Sequence, residues 1–379
     1  MNLVHLTASR FFGGPERQML TLGKSLPPDY RSSYLAFRED GFGEDFVRNV
    51  RGAGMPADSL VYDTPHFRRT IHEITRRLRD TRADVLITHG YKSNLLGRPA
   101  ARRAGIPIVS VARGWTGESR RIRAYDAVDG YHLRYMDRVV CVSEGHARVV
   151  AETGLPSARM RVIRNAARIE AFDRDPDPAY RDILHAFFPD GIRPEHTVVI
   201  AAGRLSPEKG FHLLIESAKS IAAENPDARF VLFGCGGEET RLRASIADAG
   251  LTDTFVMGGF RSDLDRLLPW GDLLVLPSFV EGLPNVVLEA SAAGIPSVAT
   301  RVGGTAEVLA DGETGFLVEP GDVPMLAERL SRLIADADLR RRMGLAARER
   351  VSSRFTFAGQ AEAWREMLDE VAGRSLVAA

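Results

Sequence analysis

Two loops in the second half of this 379-residue sequence bring together residue types that can hold a charged, hydroxylated ligand. The first is Gly203-Arg204-Leu205-Ser206-Pro207-Glu208-Lys209-Gly210, which follows an apolar run at 198–202 and precedes a helical pattern starting near Phe211. Arg204 offers a planar fork to phosphate oxygens and Lys209 a compact point charge, a combination suited to clamping a diphosphate. The plainer reading is two solvated basic side chains. The second loop lies in the run from Asp272 to Ile295, DLLVLPSFVEGLPNVVLEASAAGI. A buried strand is expected to end near Leu276, a Pro/Gly loop to follow, and a helix to begin near Asn285. That helix is almost wholly apolar, with Glu289 as its only charge, so most of it should be covered. A covered carboxylate needs a strong partner or takes up a proton. Asn285 lies on the same face, four residues earlier, and the amides of Asn285, Val286 and Val287 fall in the first turn, suited to anions or sugar hydroxyls. Glu281 stands where open α/β sheets bind ligands, at the carboxyl end of a strand. An isolated E-x7-E pair would otherwise read as one Glu in a turn and one salt-bridged beside the core.

The elements that must carry these loops are legible as short Val/Ile/Leu-rich runs alternating with helical patterns. They fall at 3–7, 34–37, 85–88, 108–111 and 139–142, and again at 198–202, 230–233, 255–257, 273–276 and 297–299. Runs apolar on both faces and separated by helices are expected as buried strands of parallel sheets. The repetition predicts an α/β protein of two doubly wound, Rossmann-like domains facing each other across a cleft. The first domain is expected over 1–170, a linker rich in Asp and Pro over 171–195, and the second domain over 196–356. The segment 357–371 reads as an amphipathic terminal helix, with Phe357, Ala361, Trp364 and Leu368 on its apolar side.

Composition narrows the class. Hydrophobic residues make up 44% and charged residues 26%, with 50 Lys+Arg against 50 Asp+Glu, which excludes a highly charged disordered chain. No run approaches the length of a membrane span, and the N-terminus lacks the layout of a secretory signal, so a soluble, cytoplasmic protein is expected. Two cysteines, Cys141 and Cys235, provide neither a disulfide framework nor a zinc site. The zero net charge hides an asymmetry: 29 Lys/Arg against 20 Asp/Glu through Asp175, a balance of +9, leaves 21 against 30 beyond it. Arg68-Arg69, Arg76-Arg77, Arg102-Arg103 and Arg120-Arg121-Ile122-Arg123 all lie in the basic part. They suit either solvated helix faces or a surface drawn to anionic membrane or a pyrophosphate-bearing acceptor. Without a recognised motif or interleaved aromatics, nucleic acid is not an expected partner.

Taken together, GRLSPEKG, PSFVEGLPNVVLEASAAGIPSVAT, VGGTAEVLADGETGFLVEPGD and the N-terminal FFGGPERQ resemble the retaining GT-B glycosyltransferases of family 4. The resemblance covers most of the chain and is densest between Val198 and Pro320. It implies a metal-independent enzyme without a cofactor that moves a sugar from a nucleotide-diphosphate sugar to a glycan or lipid-linked acceptor, in polysaccharide or lipopolysaccharide assembly. By the same resemblance, Arg204 and Lys209 hold the donor diphosphate and stabilise the leaving group. Glu289 accepts the ribose hydroxyls, and Glu281 binds the transferred sugar near the reacting carbon. Leu283 and Pro284 line the donor, and the amides of Asn285, Val286 and Val287 that follow are offered to sugar and phosphate oxygens. Gly13 and Gly14 let backbone approach the diphosphate or acceptor, although Gly13-Gly14-Pro15 also reads as an ordinary turn into a helix. The terminal helix is expected to pack back on the first domain. A front-face mechanism, in which the leaving phosphate takes the acceptor proton, is what the resemblance suggests.

The first half offers acceptor-side candidates. His89 ends a strand towards the expected cleft, and Trp115 could stack on a sugar or simply pack. Arg113 stands where many relatives carry a histidine near the transferred sugar, which leaves that role in doubt and a phosphate or anionic acceptor as its alternative partner. Asp263-Leu264-Asp265 has the D-x-D form of metal-dependent GT-A enzymes, but its place at a helix start predicts capping instead. Ser143 is expected to cap a helix, and Gly234-Cys235-Gly236-Gly237 is weak as a nucleotide contact. The rival readings are a GT-B sugar-nucleotide 2-epimerase and a non-catalytic nucleotide-sugar-binding subunit. No G-x-G-x-x-G follows the first strand to support a dinucleotide oxidoreductase.

Overall fold

A computed structural model describes residues 1–10, 12–115 and 120–373, with the side chains of 120–122 left aside. Phe11 of the FFGGPERQ segment, residues 116–119 and the side chains of Arg120 and Arg121 therefore lie outside the described residues. The chain divides into two compact units, Met1–Asn165 with the segment from Phe357, and Ala166–Thr356.

In the first unit the strands are β1 (Asn2–Thr7), β2 (Arg31–Ala36), β3 (Ala57–Ser59), β4 (Val85–His89), β5 (Ile108–Ala112), β6 (Arg138–Cys141) and β7 (Met160–Val162). Between them run α1 (Gly14–Ser25), α2 (Gly43–Gly52), α3 (Phe67–Asp80), α4 (Tyr91–Ala104), α5 (Arg120–Leu133) and α6 (Glu144–Ala151). All strand pairs are parallel, in the order β3-β2-β1-β4-β5-β6-β7. The direction of winding reverses between β1 and β4. Every residue of β4 and β5 is buried, as a sheet covered on both faces requires. Ser143 caps α6, its Oγ accepting the His146 N–H at 3.0 Å.

The second unit opens with α7 (Pro178–His185) and builds the sheet β10-β9-β8-β11-β12-β13. Its strands are β8 (Thr197–Ala202), β9 (Ala228–Phe233), β10 (Phe255–Gly259), β11 (Leu273–Leu276), β12 (Ser297–Thr300) and β13 (Gly315–Val318), again all parallel. Its other helices are α8 (Phe211–Glu224), α9 (Glu239–Asp248), α10 (Leu264–Leu267), α11 (Asn285–Ala292), α12 (Thr305–Val308), α13 (Val323–Ala335) and α14 (Ala337–Arg354). Here the reversal falls between β8 and β11. One core joins Val199, Phe211, Phe230, Leu273 and Val298 to Leu330 and Met343.

The last helix, α15 (Phe357–Val371), returns to the first unit. Trp364 and Leu368 are buried. Tyr30 Oη donates to Asp369 Oδ1 at 2.6 Å, Gln360 Nε2 to the Arg164 carbonyl at 2.7 Å, and Arg161 pairs with Glu370 at 2.6 Å. Apolar packing fixes this helix, and the polar contacts set its register.

Candidate active site

A doubly wound sheet leaves a crevice at the carboxyl ends of the two strands where the winding reverses, because the loops leaving them diverge to opposite faces. In the second unit those strands are β8 and β11, and the loops that leave them carry GRLSPEKG and PSFVEGLP. Lys209 ends a short 3-10 turn, Pro207–Lys209, and its Nζ lies 2.6 Å from Glu281 Oε1. The same carboxylate oxygen accepts Ser278 Oγ at 2.7 Å. Both ionic side chains are largely withdrawn from water, 20% exposed for Lys209 and 9% for Glu281, so their attraction is weakly screened.

Three loops hold this pair in place. Gly210 follows Lys209 with φ +64°, and a Cβ there would stand 2.2 Å from the Pro277 carbonyl oxygen. Only glycine lets the loop after β8 approach that after β11 so closely. Gly303, at φ +51°, presses against the Glu281 backbone, where a Cβ would lie 1.8 Å from the carbonyl oxygen. The Gly304 N–H then donates to the Gly282 carbonyl at 2.7 Å, and Thr300 Oγ1 donates to the Ser278 carbonyl. Arg204, 46% exposed at its side chain, pairs with the buried Glu208 at 2.9 Å, and Ser206 Oγ donates to the same oxygen at 2.6 Å. Glu208 also ties the two switch-point loops together, its carbonyl accepting the Phe279 N–H at 2.7 Å.

Along α11, the first intrahelical bond runs from the Leu288 N–H to the Pro284 carbonyl at 3.2 Å. The helix itself therefore offers no acceptor to the amides of Val286 and Val287. Val287, Leu288, Ala290, Ser291 and Ala292 are buried, whereas Asn285, Val286 and Glu289 form one half-exposed stripe. Glu289 is thus less covered than the apolar sequence around it implies. Its helical turn faces the edge of the packing rather than the core. Leu283 and Pro284 are buried beneath the loop.

At the reversal in the first unit, Gly13 caps α1 with Pro15 in the first turn, and its N–H donates to Glu16 Oε2 at 3.0 Å. Ser9 Oγ takes the other oxygen of Glu16 at 2.8 Å. Gly14 is the first residue of α1. His89 ends β4 and is buried, with Nε2 3.1 Å from His5 Nδ1. Burial and then the charge of Arg113 hold His89 well below its ordinary pKa and lower His5 to about 3. Trp115 is half-buried, donates its indole N–H to Asp129 Oδ2 at 3.0 Å and meets His146 edge-on at 5.8 Å. Asn94 Nδ2 holds the other Asp129 oxygen at 2.7 Å. Burial raises the pKa of that carboxyl, and these two hydrogen bonds pull it back. Trp115 also lines one side of an open 290 Å³ hollow with Gly130, Tyr131 and Arg134.

Residues 183–350 match the family described as "Glycosyl transferases group 1", and residues 12–170 match "Glycosyltransferase Family 4". Over 300 residues the chain is 30% identical to the D-inositol 3-phosphate glycosyltransferase of Pseudarthrobacter chlorophenolicus, covering 73% of this chain and 68% of that protein. The chain belongs to glycosyltransferase family 4. A longer match to this transferase, 352 residues at 27% identity, is the UDP-Gal:alpha-D-GlcNAc-diphosphoundecaprenol alpha-1,3-galactosyltransferase of Escherichia coli, covering 89% of this chain and 88% of that protein. The transferase has the GT-B fold. Its architecture matches that of HepE from Anabaena in complex with UDP-glucose, with TM-score 0.85 at 22% identity, over 98% of this chain and 100% of that one.

Within the transferase, Lys209 and Glu281 meet directly, and Glu208 ties Arg204 to them. The D-x-D pattern does not cap α10. Asp263 takes both Arg261 nitrogens, at 2.9 and 2.7 Å, and Asp265 pairs with Arg168 at 2.8 Å. Adjacent guanidinium groups outcompete weaker amide donors for these carboxylates. Among the described residues, no group of three His, Cys, Asp or Glu side chains could hold a metal ion, and no helix is long and apolar enough to cross a membrane. Sequence reasoning missed Glu208 and Ser278, the partners that fix Arg204 and Glu281. Glu208 lies inside the motif already singled out, and its spacing of four from Arg204 was the available signal.

Proposed function

We propose that this transferase moves a sugar, with retention of anomeric configuration and without a required metal, from a nucleotide-diphosphate sugar to a glycan or lipid-linked acceptor. The observation that carries the reading is the Lys209–Glu281 pair, fixed at the sheet's switch point beside Arg204. An ammonium group has three donors, and Glu281 uses one, so two remain for diphosphate oxygens. Arg204, paired with Glu208 on the same loop, carries a guanidinium whose planar fork suits diphosphate oxygens. As the bond from the sugar's anomeric carbon to the diphosphate breaks, negative charge grows on the departing oxygens. Donors already in place stabilise it without reorganisation, at roughly 3–4 kcal/mol for a well-placed group. The acceptor hydroxyl oxygen bonds to the anomeric carbon from the face being vacated, and its proton passes to the leaving diphosphate. Glu281 has lone pairs left to orient the sugar hydroxyls, while Glu289 on the half-exposed stripe of α11 accepts those of the ribose.

The acceptor reading draws on the +9 balance of the first 175 residues and on the relative that acts on a diphosphoundecaprenol-linked sugar. Polysaccharide or lipopolysaccharide assembly at the cytoplasmic face of a membrane is the setting this chemistry suits. Incubation with a panel of nucleotide sugars and polyprenyl-linked or soluble glycan acceptors, in EDTA, tests it. Nuclear magnetic resonance of the product should show the donor's anomeric configuration. An inverted product removes the front-face step. Conversion of the donor without any acceptor points instead to an epimerase.

A further inference from the structure

The first unit carries a second charged constellation at its own switch point. Strand register places Thr7 beside His89 and His89 beside Val111. Side chains two residues apart share a face, so His5, His89 and Arg113, one residue beyond β5, lie on one face of the sheet at its carboxyl edge.

Two deficits meet there. The His5 and His89 rings share one hydrogen bond and are both buried. As neutral rings they carry two N–H protons, of which the shared bond uses one. The other therefore sits on His5 Nε2 or His89 Nδ1, both buried and without a partner. Whichever tautomer is present, one buried donor awaits an acceptor, which costs stability until an acceptor arrives. Arg113 is the second deficit. Burial lowers its pKa, and the carboxylate whose charge reaches it, Glu16, is engaged by Ser9 Oγ and the Gly13 N–H. Among the described residues no carboxylate pairs with Arg113, in contrast to Arg204, which has Glu208, and Lys92, which has Glu39 and Asp63. A partly buried guanidinium without a counter-ion lowers stability, and the same group is a ready fork for two oxygens.

We propose that Arg113 and the His5–His89 pair form an oxyanion site that holds a phosphate or carboxylate group of a substrate. A single oxyanion meets both deficits. It gives the guanidinium its counter-charge and the orphaned imidazole N–H its acceptor. The inference deepens the transferase reading, because it states that one substrate carries an anionic group besides the donor diphosphate held by Arg204 and Lys209.

The test follows the melting temperature of the full chain against inorganic phosphate, for wild type, Arg113→Gln and Arg113→Lys. In phosphate-free buffer Arg113→Gln should melt higher than wild type, by about 2–4 °C, because an uncompensated charge is gone. Phosphate should raise the wild-type value, and the Arg113-dependent part of that rise should vanish in Arg113→Gln. Arg113→Lys keeps the charge without the fork and should respond with affinity lowered about tenfold. A phosphate response unchanged in Arg113→Gln, or a variant that melts below wild type or fails to fold, overturns the proposal and makes Arg113 structural. Kinetics then separate the two sources of the anion. A KM raised only for phosphate-bearing acceptors places the group on the acceptor, one raised only for uronate donors places it on the donor sugar, and no change in either also overturns it. The melting experiment needs no turnover, so failure of the transferase reading would appear separately, as absence of nucleotide-sugar binding.

Discussion

Mild acid should weaken the first unit more than the second, where burial lowers His196 and His212 as well but by less. His5, His89 and His146 are all in the first unit, with exposures of 0%, 7% and 4%. Burial, joined by the charge of Arg113, lowers His5 to about 3 and His89 well below the ordinary value, and burial alone lowers His146 to about 4. In the unfolded chain each imidazole titrates near 6.5. Between that value and the folded values the unfolded state binds protons that the folded state does not, so stability falls as the pH falls through this window. At pH 5.5, one unit below the unfolded value, each histidine costs about 1.4 kcal/mol relative to neutral pH, and three cost about 4 kcal/mol together. Most carboxylates remain ionised at that pH in both states, so they contribute little. The two units can be followed separately by hydrogen exchange of the slowest amides in β1 and β4 against those in β8 and β11. The first pair should lose about 4 kcal/mol of opening free energy between pH 7.5 and 5.5, and His146→Gln should reduce that loss by about one third. Amides of β1 and β4 that keep their opening free energy, or that lose no more than those of β8 and β11, would refute the argument.

Other expectations concern the site directly. Lys209→Ala or Arg204→Ala should lower turnover by roughly a hundredfold or more, read as kcat in a transfer assay, and near-normal rates in both would remove the diphosphate clamp. Gly210→Ala forces a side chain into the left-handed region and against the Pro277 carbonyl. It should cost about 1–3 kcal/mol in chemical unfolding and lower turnover through a displaced Lys209, whereas Gly237→Ala, with open space around it, should change neither. Trp115→Phe removes a hydrogen bond from the buried Asp129 carboxyl and should destabilise the fold by about 1–3 kcal/mol, with acceptor KM nearly unchanged. A raised KM without loss of stability would instead make Trp115 a sugar platform.

What the sequence determined by itself was the layered alternation of strands and helices and the two loops that carry chemistry. A parallel strand covered on both faces must be apolar throughout, so β1, β4, β5, β8 and β11 each stand out as a run. The edge strands β3 and β7, three residues each, were silent because so short a segment leaves no periodic signal, and β13, which opens on a glycine, was not picked out either. Glycines at 210 and 303 were visible as letters, but their purpose was not, since it depends on which backbone approaches them. Tertiary structure alone decided that Lys209 meets Glu281 across 72 positions of sequence, whereas the pairs Arg204–Glu208 and Arg261–Asp263 are local in the chain. Tertiary structure also decided that the charge of Arg113 reaches a buried histidine pair and that, among the described residues, no carboxylate forms an ion pair with it. Pattern and propensity are local properties of a chain, whereas the partner of a charge is set by strand order and register, which bring distant loops to one edge of a sheet.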